Sequence, residues 1–447
     1  MTSTHATEHS PEYAYVRREL AADAPPPISE VGVIGWTRKN LFSSWANTIL
    51  TLFGLYLVWL IVPPIIEFAF INAVWTGENR EACAGVDGAC WAYVRAYFQQ
   101  FIYGRYPIDE RWRVDIVFVL FAVGLVPLLM PRAPFKRENI IYMLAIFPVV
   151  SFILLTGGDF DLNGLAFTRS TGGFWIEYLV LTLVLLAAAY GFARAGANDP
   201  RPALAVVGSI MVALAVVLAI VTIDFGLEDV ETEQWGGLLV TLVIAVTGIV
   251  ASLPLGIAFA LGRRSKLPVV RLVSIIFIEF WRGVPLITVL FMSSVMLPLF
   301  LPEGVTFDKL LRALIGVALF AAAYMAEVVR GGLQAIPKGQ YEGAQALGLG
   351  YGQMMGLIIL PQALKLVIPG IVNTFIGLFK DTTLVLIIGL FDLLGQVQSS
   401  FTDPTWSTST QSATGYLFAA TVYWIFCFSM SRYSIFMEKR LHTGHRR

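Results

Sequence analysis

ALAVVGSIMVALAVVLAIVTI, residues 203–223, contains no charged side chain. As a helix it is long enough to cross about 30 Å of hydrocarbon, and apolar runs of roughly 18 residues or more are read as membrane spans. Working outward from it, the chain offers about ten such segments. They centre on 45–72, 114–130, 139–156, 174–193, 203–223, 237–262, 269–300, 310–329, 355–378 and 415–436. Leu384–Leu394 is apolar but short, which suits a re-entrant or interfacial piece. The expected fold is therefore all-α and polytopic.

Composition agrees. Of 447 residues, 57% are hydrophobic and only 14% charged, against roughly a quarter charged in soluble domains. The formal net charge is zero, so no nucleic-acid partner is implied. The histidines, His5, His9, His442 and His445, all lie in polar tails, and with Cys83, Cys90 and Cys427 they form no zinc-site spacing. No cleavable signal peptide is expected, because residues 1–40 lack an apolar core; the stretch around Pro25–Pro27 reads as a surface or disordered leader.

Loop charge orients the spans. Arg17, Arg18, Arg38 and Lys39 precede the first span; Arg132, Lys136 and Arg137 follow the second; Arg194 and Arg201 follow the fourth. Arg263, Arg264, Lys266 and Arg271 surround the turn after the sixth, and Lys439, Arg440, Arg446 and Arg447 end the chain. Alternating spans put all of these on one side. The loop with Asp224, Glu228, Asp229, Glu231 and Glu233 falls on the other. The positive-inside rule then places both termini in the cytoplasm. Loop 76–113 disagrees, since it holds Arg80, Arg95, Arg105, Arg111 and Arg113 yet faces outward. That outward, oxidising side makes a disulfide between Cys83 and Cys90 the expected state of the two thiols.

The two halves differ. Three sections are expected: a cytoplasmic leader over 1–40, early spans over 41–230, and a functional core over 231–447. Spans up to about Asp224 are nearly free of intramembrane charge. Later ones carry Glu279, Arg282, Glu327, Arg330, Lys380 and Asp381, along with Pro254, Gly256, Pro285, Pro369 and Gly370, which can bend or unwind a helix. Ionisable groups at membrane depth are expensive and mark function. A passage for a zwitterion needs an acceptor and donors: Glu279 suits an ammonium, Arg282 and Lys380 suit carboxylates, and Asn373, Thr374 and Thr382 add hydrogen bonds. The plainer reading is that Glu279–Arg282 and Glu327–Arg330 are structural pairs, because i,i+3 spacing puts each on one helix face. Lys380 and Asp381 are adjacent and cannot face each other, so each needs a partner elsewhere.

Pro337–Pro361 reads PKGQYEGAQALGLGYGQMMGLIILP. Pro337 can open a helix, and Gly348, Gly350 and Gly352 can close it. The intervening turn, with Gly343, Ala344 and Ala346, has the small-residue character that lets a helix press into a partner's groove. Glu342-Gly343-Ala344, then Gly348, Ile358 and Leu360-Pro361 resemble the loop shared by permease subunits of binding-protein-dependent ABC importers, with Gly343 where alanine is usual. Gly237–Leu242, Glu279–Leu286 (Val284 in place of threonine), Ala326–Gly332 and Lys380–Leu384 are similar to further segments of the polar amino-acid branch. The long chain resembles the larger permease of the general L-amino-acid subgroup, whose substrates include glutamate, glutamine, aspartate and asparagine.

The resemblance implies a five-span importer core at the C-terminal end, with extra spans before it. It implies that Tyr341–Gly348 is a coupling helix docking on an ATPase, with Glu342 capping or pairing at the docking surface and Pro361 ending the turn into the next span. It also implies partners: a second related permease, two cytoplasmic ATPase subunits that bind ATP and Mg, and a periplasmic amino-acid-binding protein, around a chain in the bacterial inner membrane. This chain has no Gly-x-x-x-x-Gly-Lys-Ser/Thr loop and no hydrolase motif, so no cofactor, metal site or catalytic residue of its own is expected. Two rival functions remain open on sequence: an ion-coupled secondary carrier and a non-transporting membrane scaffold.

Overall fold

The computed structural model describes residues 32–162, 170–195, 199–300 and 307–441. Arg17, Arg18, the Pro25–Pro27 leader, the four histidines, Arg446 and Arg447 lie outside the described residues. Among the described residues the chain is helical, without β-strands. Among these residues nine helices are long and apolar enough to cross a membrane, or ten if one bent pair is a single span.

Contacts divide the chain after Asn72 into two units. The first carries α1 (Gly32–Asn40) and the span α2 (Trp45–Ile71). No part of the α2 apolar window is buried, which suits a helix sheathed in lipid. Ser44 caps the helix, its side chain accepting from the Asn47 N–H.

The second unit holds α3 (Trp91–Tyr103), α4 (Arg111–Leu129), α5 (Lys136–Thr156), α6 (Thr171–Ala195), α7 (Arg201–Val221) and α8 (Gly237–Arg263). There follow α9 (Pro268–Gly283), α10 (Leu286–Phe300), α11 (Lys309–Ala335), α12 (Lys338–Ala346), α13 (351–366), α14 (Ile368–Ile388), α15 (Leu393–Ser399) and α16 (Gln411–Leu441).

Burial singles out α8 and α11. Their apolar windows are 39% and 56% buried, against none for α6. The cause is small side chains. Gly256 faces Met325 and Ala326, and a Cβ there would meet Met325 Cβ at 2.7 Å. Ala318, Ala321, Ala322 and Ala326 are buried on α11. Lipid tails are as apolar as leucine, so membrane helices gain by bringing backbones close rather than by hiding apolar area. Residues from both sides of position 230 share one core: Val114, Val117, Phe147 and Leu155 pack with Leu239, Val240, Val289 and Leu310.

Two expected spans change. Residues 269–300 do not form one rod; α9 and α10 meet at a 101° bend. Proline forces the residue before it out of helical geometry; Val284 is extended at φ −107°, ψ 132° and Pro285 starts the next helix. The expected span 355–378 is likewise displaced: α13 ends at Leu366, and the spanning helix is Ile368–Ile388. Of the apolar stretch Leu384–Leu394, the first part completes α14 and the rest leads into α15.

Loop 76–113, expected to face outward, forms an ordered cap. Cys83 and Cys90 are disulfide-bonded, with Cα atoms 5.8 Å apart, within the usual range. The Cys90 N–H donates to Thr414 Oγ1 at 3.0 Å, and Gln100 donates to Gln396 at 3.1 Å. Tyr93 bonds to Ser400, and Tyr97 donates to Asp403, which holds the Asp403 carboxyl below its usual range. Thus α3 is fastened to α15 and the start of α16. The same order engages three of the loop's five arginines. Arg113, 1% exposed, pairs with Glu110 at 2.6 Å and donates to the Glu228 carbonyl at 2.7 Å. Arg111 donates to Gln99 at 2.6 Å, and Arg105 lies over the Phe391 ring.

Replacing Cys83 and Cys90 by serine frees a short loop, at about 2–3 kcal/mol in the chain-entropy account. The double variant should unfold at lower temperature than the oxidised protein and no lower than the reduced one. An unchanged midpoint would show that the hydrogen bonds of α3 alone hold the cap.

Candidate functional site

The end of the bundle opposite the cap carries α12. Its sequence expectation of a glycine stop is met by a specific geometry. Gly348 has φ +73°, its N–H donates to the Gln345 carbonyl at 2.9 Å, and Leu349 N–H reaches the Ala344 carbonyl at 3.2 Å. This is the paired bonding of a Schellman stop, which requires a left-handed residue that glycine adopts without strain. Tyr341 is not a surface residue waiting for a partner: its hydroxyl donates to the Leu333 carbonyl at 3.2 Å and accepts from Arg264 at 3.0 Å. Ala344 is buried with Met354, Met355 and Ile359. The outward face is Glu342, Gly343, Ala346 and Leu347, all exposed. Leu347 stands 76% exposed, a large apolar side chain that the small-residue argument overlooked. Its signal was present: a leucine just before the stop glycine of a polar connector. A Cβ on Gly343 would meet nothing within 4 Å.

Pro361 does not end a turn. It lies inside the continuous helical stretch 351–366, next to a π-turn at Met355–Ile359. A proline supplies no N–H to the helical ladder, and a π-turn loosens the ladder where that donor is missing. Gln362 donates to Gln340 at 3.0 Å and so ties this helix to α12.

Above α12 lies a charge network that sequence spacing paired incorrectly. Glu327–Arg330 forms as expected, at 2.5 Å. Glu279 and Arg282 do not pair with each other. Glu279 takes Arg263 at 2.8 Å, while Arg282 reaches Glu327 at 3.8 Å and lies over the Tyr324 ring. Arg263 also donates to Glu327 at 2.9 Å. Glu327 therefore gathers guanidinium groups from α8, α9 and α11. Arg263 appeared in the sequence only as a loop cation; the missing signal was the reach of its long side chain back along the helix. Its neighbour Arg264 holds α12 through Tyr341 and the Leu333 carbonyl. Two consecutive arginines thus join the connector helix to the charge network.

On α14, Thr374 donates to the Gly370 carbonyl and buried Thr382 to the Phe379 carbonyl. Asn373 and Lys380 are exposed. Seven residues apart, they share one helix face, and Gly377 between them leaves open space where a Cβ would sit. Asp381 is partly buried beside Lys380. The candidate path residues are therefore not one cluster. Glu279 and Arg282 belong to the network, and Asn373, Thr374, Lys380, Asp381 and Thr382 to α14.

A multi-span helical bundle with a broken span, a connector helix at one end and charges at membrane depth is the build of a membrane permease. Residues 252–443 match the family described as binding-protein-dependent transport system inner membrane component. The inner membrane amino-acid ABC transporter permease protein YhdY of Escherichia coli (strain K12) is 48% identical, over 95% of this chain and 98% of that protein. The glutamate/glutamine/aspartate/asparagine transport system permease protein BztC of Rhodobacter capsulatus is 43% identical, over 97% of this chain and 99% of its own length. The probable glutamine ABC transporter permease protein GlnP of Bacillus subtilis is 34% identical over 44% of this chain and 88% of its own. The chain belongs to this family of ABC transporter permeases, inner membrane components of binding-protein-dependent transport systems. The long relatives share the early spans as well; the short one has no room for them.

Glu327→Gln leaves the guanidinium groups of Arg263, Arg282 and Arg330 without their shared carboxylate. The expected loss is on the order of 2–3 kcal/mol, below the 3–5 of a fully buried pair because Arg282 and Arg330 are partly exposed. Glu279→Gln, with one partner and a 53% exposed carboxylate, should cost under about 1 kcal/mol. Thermal unfolding of both purified variants compares them; equal midpoints would mean that Glu327 does not organise the network.

Proposed function

We propose that this chain is the path-forming permease subunit of an ATP-driven importer of polar L-amino acids, with both termini in the cytoplasm. One observation carries the reading. Asn373 and Lys380 are exposed on one face of a spanning helix, with open space beside Gly377 between them, and lipid does not solvate an ammonium at such depth. The Lys380 ammonium makes no hydrogen bond or ion pair among the described residues. That face calls for a second permease subunit across it and a polar solute between the two. Glu279 and Arg282 are occupied by other side chains, which leaves α14 as the better candidate for touching substrate. Recognition there addresses the α-ammonium and α-carboxylate that amino acids share.

In this reading residues 231–447 are the importer core, 41–230 hold the extra spans before it, and loop 76–113 is the outward cap. The face of α12 from Glu342 to Leu347 docks on one of two cytoplasmic ATPase subunits, which bind ATP and Mg. A periplasmic binding protein delivers substrate. Movement of α12 reaches the path through Arg264 and Arg263, because the former grips α12 and the latter grips Glu327. A rotation of packed helices about such a joint is the ordinary form of a gating change. An ion-coupled carrier would need a carboxylate free to exchange its cation at mid-membrane, whereas Glu327 is shared by three arginines.

Gly343→Trp tests the docking face. The position opens onto empty space, so the variant should fold and insert while losing most ATP-driven uptake. Gly348→Trp is a poorer choice because a tryptophan at φ +73° would be strained. Uptake at the normal rate in Gly343→Trp would remove α12 from the coupling interface.

Lys380→Met tests the path. Loss of one charge-assisted contact of about 1.5–3 kcal/mol lowers transport about ten- to a hundredfold. The fall should be similar for an acidic and an uncharged substrate, each normalised to assembled complex. A loss confined to the acidic one would show that Lys380 reads the side chain instead.

A further inference from the structure

Away from the path, the short turn between α4 and α5 borders an open cleft of about 940 Å3, within the range of ligand pockets. Val123 of α4, with Met130 and Phe135 of the turn, forms its apolar wall. Arg132 of the turn and Arg440, near the end of α16, bring basic side chains to the same cleft from parts of the chain far apart in sequence. The cleft straddles the point where a spanning helix ends and a polar turn begins, with Leu129 closing the one and Lys136 opening the next.

A second observation singles out this turn. Phe135 has φ +58°, ψ 34°, a left-handed conformation that is a true outlier for a bulky residue. Its ring is 74% exposed. Such strain persists only where the surroundings impose it, and it concentrates at ligand-holding sites. Here it holds an aromatic ring out beside two arginines, where no side chain of the described residues buries it.

We propose that this cleft binds one anionic phospholipid, its phosphate between Arg132 and Arg440 and an acyl chain along Val123, Met130 and Phe135. Apolar walls under a basic mouth match an amphiphile. A soluble anion would use the arginines and leave the wall wet. Basic pockets between spans on the cytoplasmic side take anionic headgroups, whose leaflet attracts lysine and arginine, and this end carries Lys136, Arg137 and Lys439 as well. The lipid would join the α4–α5 hairpin to α16, linking the early spans to the C-terminal core.

The test is lipid retention by the purified complex. After exchange into nanodiscs of mixed phosphatidylglycerol and phosphatidylcholine, a delipidating wash is followed by mass spectrometry of the lipid kept per chain. The native protein should keep phosphatidylglycerol in preference to phosphatidylcholine. In Arg132→Gln/Arg440→Gln, retention should fall about thirtyfold, the effect of losing two headgroup contacts. Val123→Trp fills the cleft while leaving the charges and should also lower retention. Lys266→Gln/Arg271→Gln removes equal charge elsewhere at the same end and should change nothing. Equal retention of the two lipids, or native retention in the first double variant, overturns the assignment. So does an equal fall in the control variant, which would mean that the whole basic surface attracts the lipid. Loss of a partner subunit in place of lipid would mark the cleft as a protein interface and overturn it too.

Discussion

The close approach of α8 and α11 sets the rest of this molecule. In a bilayer, two helices gain little by hiding leucine from an equally apolar lipid, so their association depends on how near the backbones come. Gly256 against Met325 and Ala326 permits that nearness. Once α8 and α11 are packed, the end of α8 lies beside Leu333, and Arg264 can reach both the Leu333 carbonyl and Tyr341. Arg263, one residue earlier, reaches Glu327. A single helix contact thereby fixes both the connector helix and the charges above it.

The charge network shows why intramembrane ionisable residues are better counted as sets than as pairs. Glu327 serves Arg263, Arg282 and Arg330, and Arg263 in turn serves Glu279. Arginine suits this sharing because its planar fork can donate in several directions at once. Removing desolvated charges from water costs several kcal/mol per ion, a cost that multiple partners offset together. Lys380 stands outside the set on an exposed helix face, and its chemistry is turned toward whatever lies beside α14.

At the other end, the cap over α15 and α16 makes a packed element from a segment that resembles an ordinary loop. The disulfide closes its tip, and tyrosine hydroxyls fasten α3 to residues some three hundred positions later in the chain. Arg113 is buried and paired, and Arg111 and Arg105 have partners of their own, whereas Arg80 and Arg95 are exposed. A simple count of lysine and arginine treats all five alike.

What the sequence determined by itself was local and periodic. Apolar length gave all but two of the spans, because hydrocarbon thickness sets a helix length independent of context. Proline and glycine chemistry gave the start and stop of α12, including the left-handed Gly348. The spacing from Glu342 to Pro361 gave the family, and the expected outward side of the loop pointed to the Cys83–Cys90 bond. What only the tertiary structure decided was every feature that depends on side chains arriving from different helices. Spacing of three residues paired Glu279 with Arg282 on paper, but Arg263 and Glu327 lie closer in space and their attraction falls with distance, not with sequence separation. The same holds for the side of α12 that faces outward. Gly343 and Ala344 are equally small, yet Ala344 is packed against Met354 and Ile359 while Gly343 is open. Composition cannot tell them apart, because burial belongs to the neighbour and not to the residue.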